Sequence, residues 1–172
     1  MVNDSIYKKQ QYLQGFKIGL LDCRRNTKSI IVQHKAINYL ENIIIKKYID
    51  KNRWDEGVFL NDEGFVAEGT KSNLFIVIDD KVITPDVDSG ILPGITRAKI
   101  IDICKKERIE VQERKVTLGE LCKAHEYFMC NSLMGVMPVS SIDVENMCYK
   151  FKNSHTVDYL RKKYLIELDK LV

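Results

Sequence analysis

The sequence predicts an α+β fold in which a hairpin-rich mixed sheet packs against helices. Two patterns indicate it: short apolar runs bounded by tight-turn signals, and longer segments in which apolar residues recur at helical spacing. Length is the third observation, because 172 residues with 45% apolar content suffice for one core and are too few for two ordinary domains.

The start of the chain predicts a lead-in, a strand and a helix. Residues 1–15 are polar and tyrosine-rich and are expected to be a lead-in or linker remnant, which leaves residues 16–172 as the folded domain. A strand is predicted over 16–22 and a loop over 24–34. The helix predicted over 36–51 follows from apolar residues at helical spacing, which are Ile37, Leu40, Ile44 and Tyr48.

Two hairpins are predicted next, because two tight-turn signals each lie between apolar runs. The first signal is Asn-Asp-Glu-Gly at 61–64, and the second is the pair Asp79-Asp80. The strands that these turns join are predicted over 58–60 and 65–67, and over 74–78 and 81–84.

The second half of the chain predicts three helices and three further strands. They are a helix over 96–107, a strand over 109–114, a short helix over 118–123, strands over 126–130 and 136–142, and a helix over 154–171. The last helix is amphipathic. Its apolar face is made of Val157, Leu160, Tyr164, Leu168 and Leu171.

Composition and charge exclude several classes of function. The net charge of +3 is spread along the chain without a basic stripe among stacking aromatics, so no nucleic-acid partner is expected. No apolar run of about 18 residues predicts a membrane span. Five cysteines, odd in number and without a Cys-x-x-Cys pair, argue against a disulfide framework and a metal site. With a polar amino terminus, they favour a cytoplasmic protein with reduced thiols.

Four separated segments supply the groups that a pyridoxal phosphate (PLP) site requires. Lys35 lies just before an apolar helix, where the backbone is anchored and the amine can face a cleft. Glu68 follows a strand, and a carboxylate there can keep the pyridine nitrogen of PLP protonated. Gly94, Ile95 and Thr96 open a helix whose free N–H groups and dipole suit a phosphate. A polar loop after a later strand adds a further hydroxyl.

Each of these residues also has a plainer interpretation. Lys35 could be one surface lysine among many, and Glu68 a solvated residue at a strand end. Any helix with a threonine in its first turn resembles the third segment. Asn73 is expected to be structural, as a turn former whose side chain bonds nearby backbone. Ser72 could approach the cofactor or cap its loop, and Arg97 is expected to brace its own loop.

Taken together, the segments resemble the large domain of the class IV aminotransferases. The resemblance runs from about residue 16 to residue 170. It rests on the strings at 34–40, 68–75, 90–97 and 130–139, which read HKAINYL, EGTKSNLF, GILPGITR and CNSLMGVMPV.

The resemblance implies a cofactor, PLP, and a role for each candidate residue. Lys35 would bind PLP covalently and carry the proton at the substrate carbon, and Glu68 would hold the ring nitrogen. Tyr39 would meet the phenolic oxygen of the cofactor, or else be a half-buried aromatic. The implied phosphate ligands are Gly94, Ile95, Thr96 and Ser132, and Asn131 is implied to orient the substrate.

Two branches of the family compete for this sequence. The segment at 130–139 resembles that of the 4-amino-4-deoxychorismate lyases, which release 4-aminobenzoate and pyruvate for folate synthesis. Tyr39 and the Leu-Pro-Gly string at 92–94 resemble the branched-chain and D-amino-acid aminotransferases. We favour the lyase, and the aminotransferase is the alternative.

The resemblance also implies that the smaller amino-terminal domain of the family is absent, because the match begins where that domain should have ended. That domain supplies an arginine for the phosphate and part of the substrate pocket. Three hypotheses follow: a truncated enzyme, a chain completed by a separate partner, or a degenerate domain used only for binding or assembly. A homodimer or larger assembly is expected, since an uncovered apolar face favours self-association.

Overall fold

The computed structural model describes residues 7–32, 34, 40–151 and 155–170, and these form a nine-stranded sheet with helices packed on it. The strands are β1 (Phe16–Arg25), β2 (Glu56–Asn61), β3 (Val66–Gly69), β4 (Asn73–Ile78), β5 (Lys81–Thr84), β6 (Val111–Glu113), β7 (Glu126–Asn131), β8 (Gly135–Val144) and β9 (Met147–Lys150). The helices are α1 (Lys9–Gln14), α2 (Leu40–Asn52), α3 (Ile95–Lys106), α4 (Leu118–Lys123) and α5 (His155–Asp169), and a 3₁₀ turn spans Val87–Ser89. The predicted α+β class is confirmed.

The sheet is mixed, as predicted. Its strands follow the order β3-β2-β1-β8-β7-β4-β5-β6, and β9 pairs with β8. β1 runs parallel to both β2 and β8, whereas the hairpin pairs β2–β3, β4–β5 and β7–β8 are antiparallel. The end of β3, the start of β4 and the end of β7 meet at one edge. There Asn73 pairs with Cys130, and the Gly69 N–H donates to the Ser72 carbonyl at 2.7 Å.

The position of β4 in the fold explains why its sequence is apolar without a break. Successive strand residues point to opposite faces of the sheet. Leu74 and Ile76 lie in one buried cluster, while Phe75 and Val77 lie in a second cluster, beneath α3 and α5. Both faces of this strand are therefore covered, and each face requires apolar side chains.

The two predicted hairpin turns are present. Asp79 and Asp80 both have positive φ, 48° and 59°, as a two-residue turn of type I′ between antiparallel strands requires. In the other turn the Asn61 side chain accepts hydrogen bonds from the Glu63 and Phe65 N–H groups at 3.1 and 2.8 Å. Short polar side chains thus set both turns, as their positions in the sequence indicate.

Several boundaries differ from the predictions. Arg24 and Arg25 were expected in a loop, yet they end β1, where they pair in register with Leu60 and Asn61. β9 was not predicted, and its side chains are mostly exposed, so it carries no alternating apolar signal. Within the expected lead-in over residues 1–15, α1 packs against β8, and the Tyr12 hydroxyl donates to the Met134 carbonyl at 2.9 Å.

Helix α2 buries a face that the sequence pattern did not single out. Ile45 and Ile49 contact the sheet, whereas Leu40 and Ile44 are 65% and 61% exposed. The apolar residues of α2 are spread around its circumference, so their periodicity alone does not indicate which face is buried. In the part of the chain that the structure describes, no helix has the length and apolar character to cross a membrane.

Candidate cofactor-binding site

The predicted site residues that can be located lie in or beside one cleft of about 630 Å³ at the edge where β3, β4 and β7 meet. Glu68, Asn131 and Ser132 line it, as do Arg25 and His34. The volume is within the usual range for small-molecule sites. Chain segments far apart in the sequence therefore converge on a space that can hold a cofactor.

Glu68 is a carboxyl group buried at the wall of this cleft. It lies in β3 and is only 7% exposed. Its Oε2 accepts a hydrogen bond from the Leu92 N–H at 2.9 Å, and the Asn73 amide approaches the same oxygen at 3.5 Å. Its Oε1 lies 3.7 Å from the Arg25 guanidinium. Glu68 thus lies near donors from three segments outside its own strand: β1, the start of β4 and the segment before α3.

Burial changes the acid strength of this group. Removal from water raises the pKa of Glu68 to about 7, because the charged form loses its hydration. The Leu92 N–H and the Arg25 charge act in the opposite direction, and the nearby Glu56 adds to the increase. A cation brought next to this carboxyl would favour its ionised form. The site is therefore suited to a group that carries a proton on a ring nitrogen.

Asn73 joins the Glu68 wall to the segment that opens α3. Its amide donates to the Leu92 carbonyl at 2.8 Å, while Leu92 donates its own N–H to Glu68. A Cβ atom built on Gly94 would lie 2.2 Å from the Asn73 Oδ1, so a larger residue at this position would displace the Asn73 amide. Asn73 has the side-chain bonds to backbone that were expected of it, and here they hold two parts of the site together.

The start of α3 has free N–H groups that suit an anion. Gly94 precedes the helix, and no side chain of the described residues caps it. The first free amides are those of Ile95, Thr96 and Arg97, since the Ala98 N–H is the first to reach back to Gly94. Thr96 is buried and Ile95 is 83% exposed.

These three predicted phosphate residues do not line the cleft itself. Gly94, Ile95 and Thr96 begin two residues beyond Leu92, which does line it. Ser132, predicted for the same role, stands in the cleft with an exposed side chain. A buried acid and an exposed hydroxyl in one cleft, with an uncapped helix start beside it, are a set of groups that fits PLP.

Asn131 already has several hydrogen-bond partners. Its Oδ1 accepts from the Leu133 and Met134 N–H groups, both at 2.9 Å, and its amide donates to the Lys71 carbonyl at 3.1 Å. These bonds hold the loop after β7 against the turn after β3. The predicted contact of Asn131 with substrate stays a prediction, and one N–H of its amide remains for it.

Arg25 is the main residue of the site to which the sequence assigned no role. Its guanidinium pairs with Glu41 at 2.6 Å, lies 3.7 Å from Glu68, and stacks on Phe59 at 3.9 Å. It therefore ties the start of α2 to the wall that carries Glu68. The sequence signal for this role is the pair of arginines at positions 24 and 25, which end β1 although a loop is predicted there.

Lys35 and Tyr39 lie outside the described residues, so their predicted roles stay predictions. Residues on either side of them in the sequence can be located. His34 lines the cleft, as does Glu41 near the start of α2. The His34 ring nitrogen Nδ1 is 2.7 Å from the Ile30 carbonyl.

Known proteins with the same architecture identify the family. The family model described as amino-transferase class IV matches residues 2–142. An aminodeoxychorismate lyase of Vibrio harveyi is 36% identical over 129 residues, which are 75% of this chain and 48% of the lyase. The chain thus spans about half the length of this relative.

Two solved structures show the same likeness. The 4-amino-4-deoxychorismate lyase of Pseudomonas aeruginosa gives a TM-score of 0.84 at 25% identity, over 95% of this chain and 59% of that one. The branched-chain aminotransferase of Thermobaculum terrenum, solved in its PLP form, gives 0.79 at 30% identity, over 88% and 50%. The expected family and its cofactor are confirmed: this chain belongs to the class IV aminotransferases, a PLP-dependent family.

Proposed function

We propose that this chain binds PLP in the cleft beside Glu68 and is the cofactor-binding domain of a 4-amino-4-deoxychorismate lyase. The observation that carries the proposal is the buried Glu68 carboxyl, which is tied through Leu92 to the segment that opens α3. When bound, PLP would supply an electron sink for bond cleavage at the amine-bearing carbon of the substrate.

Different residues bind the two ends of the cofactor. Glu68 holds the ring nitrogen, and its carboxylate keeps the proton there. The amides of Ile95 and Thr96, with the Ser132 hydroxyl, hold the phosphate. Opposite charges at the two ends orient the ring in one direction, because reversal would place the phosphate beside the Glu68 carboxylate.

Lys35 is proposed as the covalent anchor and as the base at the substrate carbon. It is the sequence that assigns this role, and the placement of its neighbours supports it. His34, the residue before Lys35 in the sequence, lines the cleft, as does Glu41. The role requires a lowered pKa, which frees a lysine amine near neutral pH.

The lyase is preferred over an aminotransferase because of the loop after β7. Its sequence, Cys-Asn-Ser-Leu-Met-Gly-Val-Met-Pro-Val at 130–139, resembles that of the lyases. Relatives of both kinds match the chain, lyases as well as branched-chain aminotransferases. Aminotransfer to or from branched-chain or D-amino acids is therefore the second candidate.

A paired assay distinguishes the two reactions. The chain is loaded with PLP and supplied with 4-amino-4-deoxychorismate, and release of pyruvate and 4-aminobenzoate is followed. In parallel, it is supplied with leucine or D-alanine and 2-oxoglutarate, and glutamate formation is followed. Pyruvate release that is lost in Glu68→Ala and kept in Glu126→Ala supports the lyase. Glutamate formation alone would replace it with the aminotransferase.

If neither pyruvate nor glutamate is formed, the chain either is not catalytic or requires the remainder of the enzyme. The chain spans about half of its relatives, so a separate partner that supplies the other half stays a prediction. A co-expressed amino-terminal half from a relative would restore turnover under the second explanation and would not under the first.

The homodimer predicted from the sequence is part of the proposal. An apolar groove of about 580 Å³ runs between β1 and α2, lined by Leu21, Leu40, Ile44 and Tyr48. Exposed apolar surface of this kind favours self-association, and a second copy is the occupant proposed here. Sedimentation at working concentration should show a dimer, and a monomer alone would contradict it.

A further inference from the structure

A second carboxyl group lies directly behind the wall of the cleft. Glu56, the first residue of β2, is fully buried, yet it does not line the cleft. Its Oε1 accepts hydrogen bonds from the Gly57 and Thr70 N–H groups, both at 3.1 Å, and from the Thr70 hydroxyl. Its Oε2 accepts from the Ser72 hydroxyl at 3.2 Å.

Three of these four donors belong to one turn, which spans residues 69–72. Glu68 immediately precedes this turn and Asn73 immediately follows it, and the turn itself forms part of the cleft wall. The turn is tight, because a Cβ atom on Gly69 would lie 2.5 Å from both the Ser72 hydroxyl and the Met129 side chain. Glu56 thus anchors, from the buried side, the turn that separates Glu68 from Asn73.

We propose that Glu56 is a positioning residue of the cofactor site, which fixes Glu68 and Asn73 by anchoring the turn between them. This role in cofactor binding rests on the proposed function, because Glu68 is proposed to hold the PLP ring and Asn73 holds the segment before α3. Its structural part, that Glu56 controls the turn and the state of Glu68, can be tested without cofactor.

The charge of Glu56, like its hydrogen bonds to the turn, affects Glu68. Two N–H donors and two hydroxyls surround its carboxylate, a set that suits an acceptor. The proximity of Glu56 contributes to the raised pKa of Glu68. Loss of this charge would lower the pKa of Glu68, and a looser turn that admits water would lower it further.

A buried carboxyl elsewhere in the fold provides the matched control. Glu126 in β7 is 6% exposed and accepts hydrogen bonds from the Thr156 and Val157 N–H groups at 3.2 and 3.0 Å. It anchors the start of α5, and it does not line the cleft. Glu126→Gln therefore reports the cost of altering a buried, hydrogen-bonded carboxyl without altering the site.

The experiment compares wild type, Glu56→Gln and Glu126→Gln by two measurements on the protein without PLP. The first is the ¹³C carboxyl titration of Glu68, which is assigned by its loss in Glu68→Gln. The second is amide hydrogen exchange over residues 69–73. In Glu56→Gln, the Glu68 titration should move to lower pH, and exchange of these amides should rise on the order of tenfold, as loss of one net hydrogen bond allows.

Glu126→Gln should leave both measurements at their wild-type values, even if it lowers the melting temperature equally. Unchanged Glu68 titration and turn exchange in Glu56→Gln would overturn the proposal, and so would equal changes in both variants. If Glu56→Gln does not fold, Thr70→Val removes one bond from the same carboxyl and should still speed exchange of the turn. Failure of wild type to bind PLP would count against the proposed function and leave these results intact.

Discussion

Replacing Glu68 by glutamine should change how the stability of the protein depends on pH. Burial raises the pKa of Glu68 from 4.5 to about 7 in the folded protein. The folded state therefore binds more protons than the unfolded state between these two values. The contribution of Glu68 to stability is greatest below pH 4.5, is lost as pH rises through the folded pKa of about 7, and is constant above about pH 8.

The size of the effect follows from the same two values. A difference of about 2.5 pKa units corresponds to about 3 kcal/mol of unfolding free energy, as an upper bound for a group this buried. Most of it, about 2 kcal/mol, is expected between about pH 5 and about pH 8. Glutamine stays neutral and can still accept from the Leu92 N–H, so Glu68→Gln should lack this loss.

Urea denaturation of wild type and Glu68→Gln at several pH values measures the effect. The difference in unfolding free energy should grow in favour of the variant as pH rises through this window. Glu145→Gln, in the exposed turn between β8 and β9, is the control and should follow wild type. Parallel curves for wild type and Glu68→Gln would refute the argument that burial destabilises the ionised carboxyl.

Two further predictions concern the junction between Asn73 and the start of α3. Asn73→Ala removes the bond to the Leu92 carbonyl and should cost about 1 kcal/mol of stability and weaken PLP binding, as a thermal melt and a spectral titration can show. Gly94→Ala places a Cβ atom against the Asn73 Oδ1 and should cost about 1–3 kcal/mol. In the Asn73→Ala background the same change should cost much less, because the obstructing side chain is gone; additive effects in this double-mutant cycle would contradict the packing argument.

The elements with strong patterns were predictable from the sequence. β5 was predicted with its observed bounds, and the turn at Asp79 and Asp80 followed from short polar residues that tolerate positive φ. β4 was recognised from an unbroken apolar run, which both covered faces require. In each case the local sequence and the final packing favour the same structure.

Other features depend on contacts that no local pattern reports. Whether Ile45 or Ile44 faces the core is decided by the sheet beneath α2, since both residues are equally apolar. Glu56 has the sequence appearance of a solvated strand start, and only the turn at 69–72 explains its burial. The ion pair between Arg25 and Glu41 joins residues whose partnership cannot be inferred from either one alone.

The proposed function depends most on Lys35, which we expect to anchor PLP in the cleft beside Glu68. The direct test is to add PLP to the purified chain, record the visible spectrum, reduce with borohydride and map the modified peptide by mass spectrometry. We expect a visible band and a phosphopyridoxyl group on Lys35 alone, with weaker loading in Glu68→Ala than in Glu126→Ala. Absence of the band, or label spread over many surface lysines, would contradict the proposed role of Lys35.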